Sequence, residues 1–509
     1  MIKRIFYLPL LIFVIATGCS VGKSAFNPDY QYPKEKLQKD YLVFREILEE
    51  SHPSLYWYTP KDSMDYYFDM GYNRINDSMS EPAFRTLLSY VISKVNCGHT
   101  SIKNSKNFSR YLDTAKLTAF PLGIKFWSDT AVIYSNLNRR DSTLKRGTVI
   151  TAINKLPMTT IRDSLFQFMV TDGYSINHKY QSLSNLGNFG GLYKSVFGYS
   201  NKLEVSYLDS TGTEKSTTIA PFDYRRDSAF RRFTSNLYKP GRKERRQNRL
   251  TGARSIQIDT TGSTAFMSLN TFTDGNRLRT FFRQSFRELQ KRKIQHLIID
   301  VRGNGGGNVS LSNKLTRYLA AKPFKLADSL YAVKKRSRFE QNIENSFVSA
   351  MFMTFMTSRR SDGNYHFRYF ERHVFKPKKK HHYNGDVYML TGGNSFSATT
   401  LVVHALKGQP NVKIIGEETG GGAYGNSAWF IPNVTLPNTG VRFRLPKFHM
   451  VMNKNLPKNG RGIVPDIEVV PTVKAIREGY DIKLEYTKKL IYAMKQKSTH
   501  IGSAGFSSK

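Results

Sequence analysis

Three times between residues 296 and 422 an apolar, strand-like run ends in glycines: "HLIIDVRGNGGG" at 296–307, "VYMLTGGNSFSATTLVVHAL" at 387–406 and "VKIIGEETGGG" at 412–422. Runs apolar on both faces read as strands buried on both sides, and the segments after the first two read as helices, near Ser310 to Tyr318 and from Ser397 onward. A further helix is expected from about Leu278 to Lys291. Buried strands alternating with helices require a sheet covered on its faces, so the fold class is α/β. At 509 residues the chain has room for about three domains of ~150 residues each.

The rest of the chain divides by texture. From Lys36 to about Lys94 the apolar spacing is helical: Leu37, Tyr41, Phe44 and Leu48 share one face, and Phe84, Leu87, Leu88, Val91 and Val95 another, with Ser80 and Pro82 placed to start the second helix. This gives a helical domain at 25–110, ending near "NCGHTSI". From Leu117 the texture is β, with "FPLGIKFW", "TAVIYS" and "GTVITAIN" as strands of a domain at 117–222. Residues 171–200 form an insertion in it. Residues 223–255 are Arg-rich and poorly periodic, which suits a basic linker; the α/β core spans 256–475, and a C-terminal helix and tail span 476–509.

Lys plus Arg number 77 against 39 Asp plus Glu, a formal charge of +38. Such a field favours anionic partners. The cations are scattered in short groups ("GRKERRQNR" at 241–249, "KPKKKHH" at 376–382) and no nucleic-acid-binding signature accompanies them. The partner expected is therefore an anionic membrane surface rather than nucleic acid. At the N-terminus, Lys3 and Arg4 precede a short apolar run that ends in Ala16-Thr17-Gly18-Cys19. The run suits a signal peptide at 1–19, and its end resembles a bacterial lipobox, which implies cleavage before Cys19, lipidation of its thiol and a lipid-anchored periplasmic or outer-membrane location. Cys97 then stands alone, either a reactive thiol or a buried small residue. No metal-ligand spacing is present: the histidines of "KKKHHY" would point apart on a strand. No cofactor is expected.

The loop 303–307 could turn several backbone N–H groups toward one anion. It lacks both the dinucleotide and the phosphate-loop pattern, and suits a developing oxyanion instead. Ser397 begins a helix, where it could be an N-cap or a nucleophile.

The ordered set "RGNGGG", "GGNSFSATTLVVHAL", "IIGEETGGGAYG" and "GRGIVPDIEVVPT", preceded by "ESHPSLYWY" and "CGHTSI", resembles the S41 peptidases, the family of C-terminal processing proteases and tricorn protease. The resemblance implies a crotonase-like β-α spiral core, a PDZ-like domain around "LKRGTVITAINKLPM", and a serine nucleophile at Ser397 rather than Ser395. It implies oxyanion donors at the Ala398 amide and at Gly305 or Gly306. The processing-protease lysine is missing, because Gly422 stands at its place. The tricorn branch instead has a histidine base in the motif that matches here at His99, and imidazole is chemically apt for that role. The orienting position falls near Asn459, with Glu417 and Glu418 in reserve. The function expected is a cell-envelope serine peptidase acting on extended or unfolded polypeptide. The alternative is a non-catalytic peptide- or lipid-binding protein on the same scaffold.

Overall fold

The computed structural model describes residues 26–115, 117–226 and 238–504. The signal segment, Cys19 and part of the basic linker lie outside the described residues.

The core is a six-stranded sheet in the order Arg254–Asp259, Thr264–Leu269, His296–Asp300, Asp386–Thr391, Val412–Gly416, Ile467–Glu468. The first pair is antiparallel and the others parallel. As expected of strands buried on both faces, Leu297, Ile298 and Ile299 are all inaccessible, as are Val387 to Leu390. The helices Leu278–Lys291, Val309–Leu319 and Ala398–Leu406 cover one face, and Phe282, Phe286, Leu315 and Val402 fill that layer. The C-terminal helix Ile482–Ala504 packs Ile491 against the other face. Parallel pairing of His296–Asp300 with Asp386–Thr391 brings the loops that follow them, 301–308 and 392–397, to the same end of the sheet.

The helical domain consists of Lys34–Ser51, Lys61–Asn73 and Glu81–Ser93, the last capped by the Ser80 hydroxyl as its sequence predicts. It does not stand alone. Its core contains Val434, Val441, Phe443 and Leu445 from the C-terminal half, and Ile102 pairs as a strand with Phe443. The buried Asp40 carboxylate accepts hydrogen bonds from the Asn438 and Thr439 amides and from the Thr439 hydroxyl at 2.9, 2.8 and 2.6 Å.

The "ESHPSLYWY" motif forms a second seam. Ser54 Oγ lies 2.5 Å from His449 Nδ1 and also bonds Ser427 Oγ, while the Trp57 ring lies 3.9 Å from the His449 ring. The Ser54 amide donates to His52 Nδ1 at 3.2 Å, which leaves the proton on His52 Nε2, 2.8 Å from Thr100 Oγ1. The motif therefore seats the loop that carries His99.

The β domain is an antiparallel sheet, Leu122–Trp127, Thr130–Asn136, Val149–Ile153, Leu203–Leu208, Glu214–Ile219, with Leu156–Pro157 paired to the third strand. The insertion 171–200 contains two helices, Ile176–Leu183 and Asn188–Phe197. One reading of the linker needs correction: residues 242–253 form an α-helix. Only its Leu250 and Ala253 are buried, so the apolar periodicity that betrays most helices is absent. The histidines of "KKKHHY" are not on a strand either. His381 has a left-handed φ of 59° and binds Gln290, and His382 binds Asn384 and the Ala320 carbonyl.

Burial pushes both His52 and His449 down to about 3. Their rings stay neutral in the fold and become charged in the unfolded chain below pH ~6.5. Unfolding then takes up protons, so the stability they contribute is full above that pH and lost as pH falls toward 3, by about 1.4 kcal/mol per pH unit for each ring. Urea unfolding from about pH 7 down to about pH 4.5 should show this slope. His449→Gln should make it shallower by one ring's share.

Candidate active site

Ser397 sits between the Asp386–Thr391 strand and the Ala398–Leu406 helix with φ 56° and ψ −123°. A non-glycine residue held there is strained, and its environment must impose the conformation. The imposition is visible on both sides. The Phe396 amide donates to the Asn304 carbonyl at 3.1 Å, and the Thr400 amide to the Ser397 carbonyl at 2.9 Å. Gly306, at φ +98°, approaches so closely that a Cβ on it would lie 2.7 Å from Ser397 Cβ and 2.9 Å from the Ala398 nitrogen. The Ser397 hydroxyl does not cap its helix and has no hydrogen-bond partner among the described residues, so the N-cap role is unfilled and the oxygen is free. Ser395 differs: it is fully buried, donating to the Val301 carbonyl at 2.8 Å and accepting from the Gly392 amide at 3.2 Å.

The Ala398 amide has no acceptor among the described residues, and it opens a helix whose dipole favours negative charge. In the glycine loop, the Gly306 amide is already given to Asn304 Oδ1 at 3.0 Å, which takes it out of the role expected for it. Gly305 is exposed and lies off the cavity beside Ser397; Gly307 lines that cavity. Asn304, fully buried, holds the loop by donating to the Leu269 carbonyl at 3.0 Å.

His99 is brought to the same place from the helical domain. Its ring packs against that of Phe396, the residue before Ser397, with centroids 4.7 Å apart and the planes tilted by 34°. It is 3% exposed, and neither ring nitrogen has a hydrogen-bond partner among the described residues. The close approach depends on Gly98, where a Cβ would lie 2.5 Å from Phe396 Cζ. The nearest carboxylate is Asp172, whose Oδ1 lies 3.7 Å from His99 Nδ1 and accepts the Gly98 amide at 2.9 Å. Asp172 is buried, and its Oδ2 is unpartnered. His178 stacks on Phe396 from within the insertion, at 4.8 Å, and bonds the Gly393 carbonyl at 2.8 Å; burial lowers its pKa.

Asp172 and His178 were not singled out in the sequence. The three residues that were named as orienting groups are engaged elsewhere. Glu417 pairs with Lys483 and accepts from Gln181 Nε2 at 2.8 Å. Glu418 holds the Arg461 guanidinium and the Gly462 amide. Asn459 is exposed and caps the Arg461 amide at 3.0 Å. Cys97 is buried, and burial pushes its thiol up to about 12, so it packs rather than reacts. Among the described residues no group of three or more His, Cys, Asp or Glu could hold a metal ion.

Ser397 opens onto a cavity of about 530 Å³ walled by Val309, Phe370, Leu401, Trp429, Phe430 and Met450, with no ionisable side chain in its lining. Trp429 and Phe430 both have left-handed φ, 61° and 48°. Two consecutive aromatics in that region are unusual and typical of ligand-clamping segments. Asn426 Oδ1, also in the wall, is buried without a partner.

With this geometry in view, residues 263–469 match the sequence model of peptidase family S41. The solved structure of mature CPAF is 14% identical, with a TM-score of 0.61, over 91% of this chain and 97% of that one. The structure of mature CPAF complexed with lactacystin gives 14% and 0.59 over 91% and 98%. At this identity the likeness establishes the mixed α/β fold. A comparison with curated proteins found no match.

The Gly98 contact has a measurable consequence. Gly98→Ala should destabilise the fold by about 1–3 kcal/mol through overpacking against Phe396. Gly191→Ala, in the helix Asn188–Phe197 with open space around it, should leave stability unchanged or raise it by about 0.5–1 kcal/mol. Urea midpoints of the two variants test this.

Proposed function

We propose that this chain, whose residues 263–469 match the sequence model of peptidase family S41, is a serine-type peptidase using Ser397, His99 and Asp172. The observation that carries the reading is a buried histidine with both nitrogens unpartnered, beside a buried carboxylate and one phenyl ring removed from a strained serine with a free hydroxyl.

In the reaction, Ser397 Oγ attacks the scissile carbonyl while neutral His99 takes its proton. The Asp172 carboxylate holds the resulting imidazolium in place. The Ala398 and Gly307 amides donate to the oxyanion of the tetrahedral intermediate, in place of the Gly305 or Gly306 donor expected from the resemblance. His99 returns its proton to the leaving amine as the C–N bond breaks. Water, deprotonated by the same ring, then attacks the ester carbon, and His99 passes that proton to Ser397 Oγ as the ester C–O bond breaks. The 3.7 Å gap to Asp172 closes when substrate is bound, as catalytic contacts in empty sites commonly do.

The uncharged cavity beside Ser397 defines the substrate class. Burying a Leu or Phe side chain there yields about 1.5–3 kcal/mol relative to leaving it in water, and a charged side chain would lose its hydration without a partner. Leu, Met or Phe next to the scissile bond should therefore exceed Ala by ~10-fold or more in kcat/KM.

The crotonase-like spiral and the PDZ-like domain belong to this reading. A groove of about 310 Å³ runs between the edge strand Leu122–Trp127 and the helix Asn188–Phe197, lined by Leu122, Ile124, Phe189 and Tyr199. The Tyr199 hydroxyl is buried there without a partner. An extended or unfolded polypeptide would add as a strand along this edge. The Ser184 hydroxyl already occupies the Phe126 amide, which confines the addition to the first half of the strand. Hydrogen exchange of Ser397→Ala with unfolded casein should show protection across 120–124, and none would remove this part of the reading. The lipobox-like end at Cys19 and the +38 charge favour a lipid-anchored cell-envelope protein lying on anionic lipid. Palmitate incorporation lost in Cys19→Ser tests the anchor.

The catalytic reading is tested by a fluorophosphonate probe. Ser397 should be labelled in the native chain, not at all in Ser397→Ala, and about 10²–10⁴-fold more slowly in His99→Ala and in Asp172→Asn. A folded chain that no phosphonate labels would instead favour the peptide- or lipid-binding alternative.

A further inference from the structure

A second cavity, of about 410 Å³, lies where three parts of the chain meet. The β domain contributes Lys125 and Arg146, the core contributes Asp300, Arg302 and Gly303, and the C-terminal segment contributes Asp481 and Lys483. Four cations and two carboxylates thus share one lining.

The charges are not evenly matched. Arg302 is satisfied: its guanidinium binds Asp300 at 2.6 Å and Asp481 at 2.5 Å. Lys483 is satisfied by Glu417, which lies outside the lining. Arg146 spends one N–H on the Ile476 carbonyl at 2.5 Å and has no carboxylate partner among the described residues. Lys125 makes no hydrogen bond or ion pair among the described residues. Its side chain is half-buried, and burial, with Lys483 and Arg302 nearby, works against its charge; Glu417 alone opposes that trend. A charged group taken out of water without a counter-charge is costly, and a cavity beside it offers the place for one. The polar lining of Gln181, Asn394 and Thr472 supplies further hydrogen-bonding groups.

We propose that this cavity binds an oxyanion, a phosphate or carboxylate group, held by Lys125 and Arg146. Such a ligand would join the β domain to Arg302 and Gly303, where the glycine loop of the serine site begins. The site stands on its own residues and does not depend on the peptidase reading.

The test is thermal unfolding of the full chain in detergent, titrated with sodium phosphate, sodium succinate or sodium chloride at constant ionic strength. The expected result is a saturable rise in midpoint with phosphate, succinate or both, absent with chloride. A rise with only one of them identifies which oxyanion the site takes. Lys125→Met should abolish the rise, and in chloride alone should unfold at the same or a higher temperature than the native chain, because it removes an uncompensated ammonium. Arg146→Gln, at an exposed position, should fold normally and need at least ~10-fold more anion, the share of about 1.4 kcal/mol. No anion-specific rise, or an equal rise in both variants, would overturn the proposal. Should Lys125→Met fail to fold, the Arg146→Gln titration decides it.

Discussion

The hydrogen bond from the Gly98 amide to the Asp172 carboxylate, 2.9 Å long, ties the histidine loop of the helical domain to the β-domain insertion. Around it the segment 171–175 is stitched in several directions. The Gly173 amide donates to the Asn96 carbonyl and the Tyr174 amide to the Gly460 carbonyl, at 2.9 and 2.8 Å, and the Ser175 hydroxyl donates to the Thr419 carbonyl at 3.0 Å. The histidine loop, the 419 loop and the 460 loop are therefore registered against one another by the first residues of the β-domain insertion. Without that segment the Asp172 carboxylate would be gone, and the His99 loop would keep only the His52–Thr100 bond on the helical-domain side and the contact of the His99 ring with Phe396.

On the other side of the site, the constraint is backbone. Asn304 fixes the glycine loop with its own side chain, and the loop in turn presses Gly306 against Ser397. The same side chain that shapes the loop occupies the Gly306 amide, and Gly307 is the loop glycine that lines the serine cavity. The strain at Ser397 is held by this loop before it and the helix after it, which is how a strained residue persists in an otherwise relaxed fold.

What was legible in the sequence follows from how far each signal reaches along the chain. The helix Leu278–Lys291 and the buried strands at 296–300 and 386–391 were evident because their patterns are local. So was the pairing of a glycine loop with a serine, since both end neighbouring parallel strands. Asp172 was not evident. It lies 74 residues from the amide it binds, in a "TDGYS" stretch that reads as an ordinary turn, and only the folded insertion brings it under His99. Glu417 and Glu418 misled for the opposite reason: they follow a strand of the core in the right loop, but each is drawn away by a cation of its own, Lys483 and Arg461. The helix at 242–253 was hidden by its polarity, since a helix that buries two residues leaves no stripe to read.

The distribution of charge separates the cavity beside Ser397 from the one at Arg302. In a protein of formal charge +38, a cavity lined by fourteen residues without one ionisable group is a local exclusion of charge, maintained by aromatic packing of Phe370, Trp429 and Phe430. A few residues away along the same glycine loop, Arg302 opens the other cavity, in which cations outnumber carboxylates. The loop thus faces apolar matter at Gly307 and charge at Arg302.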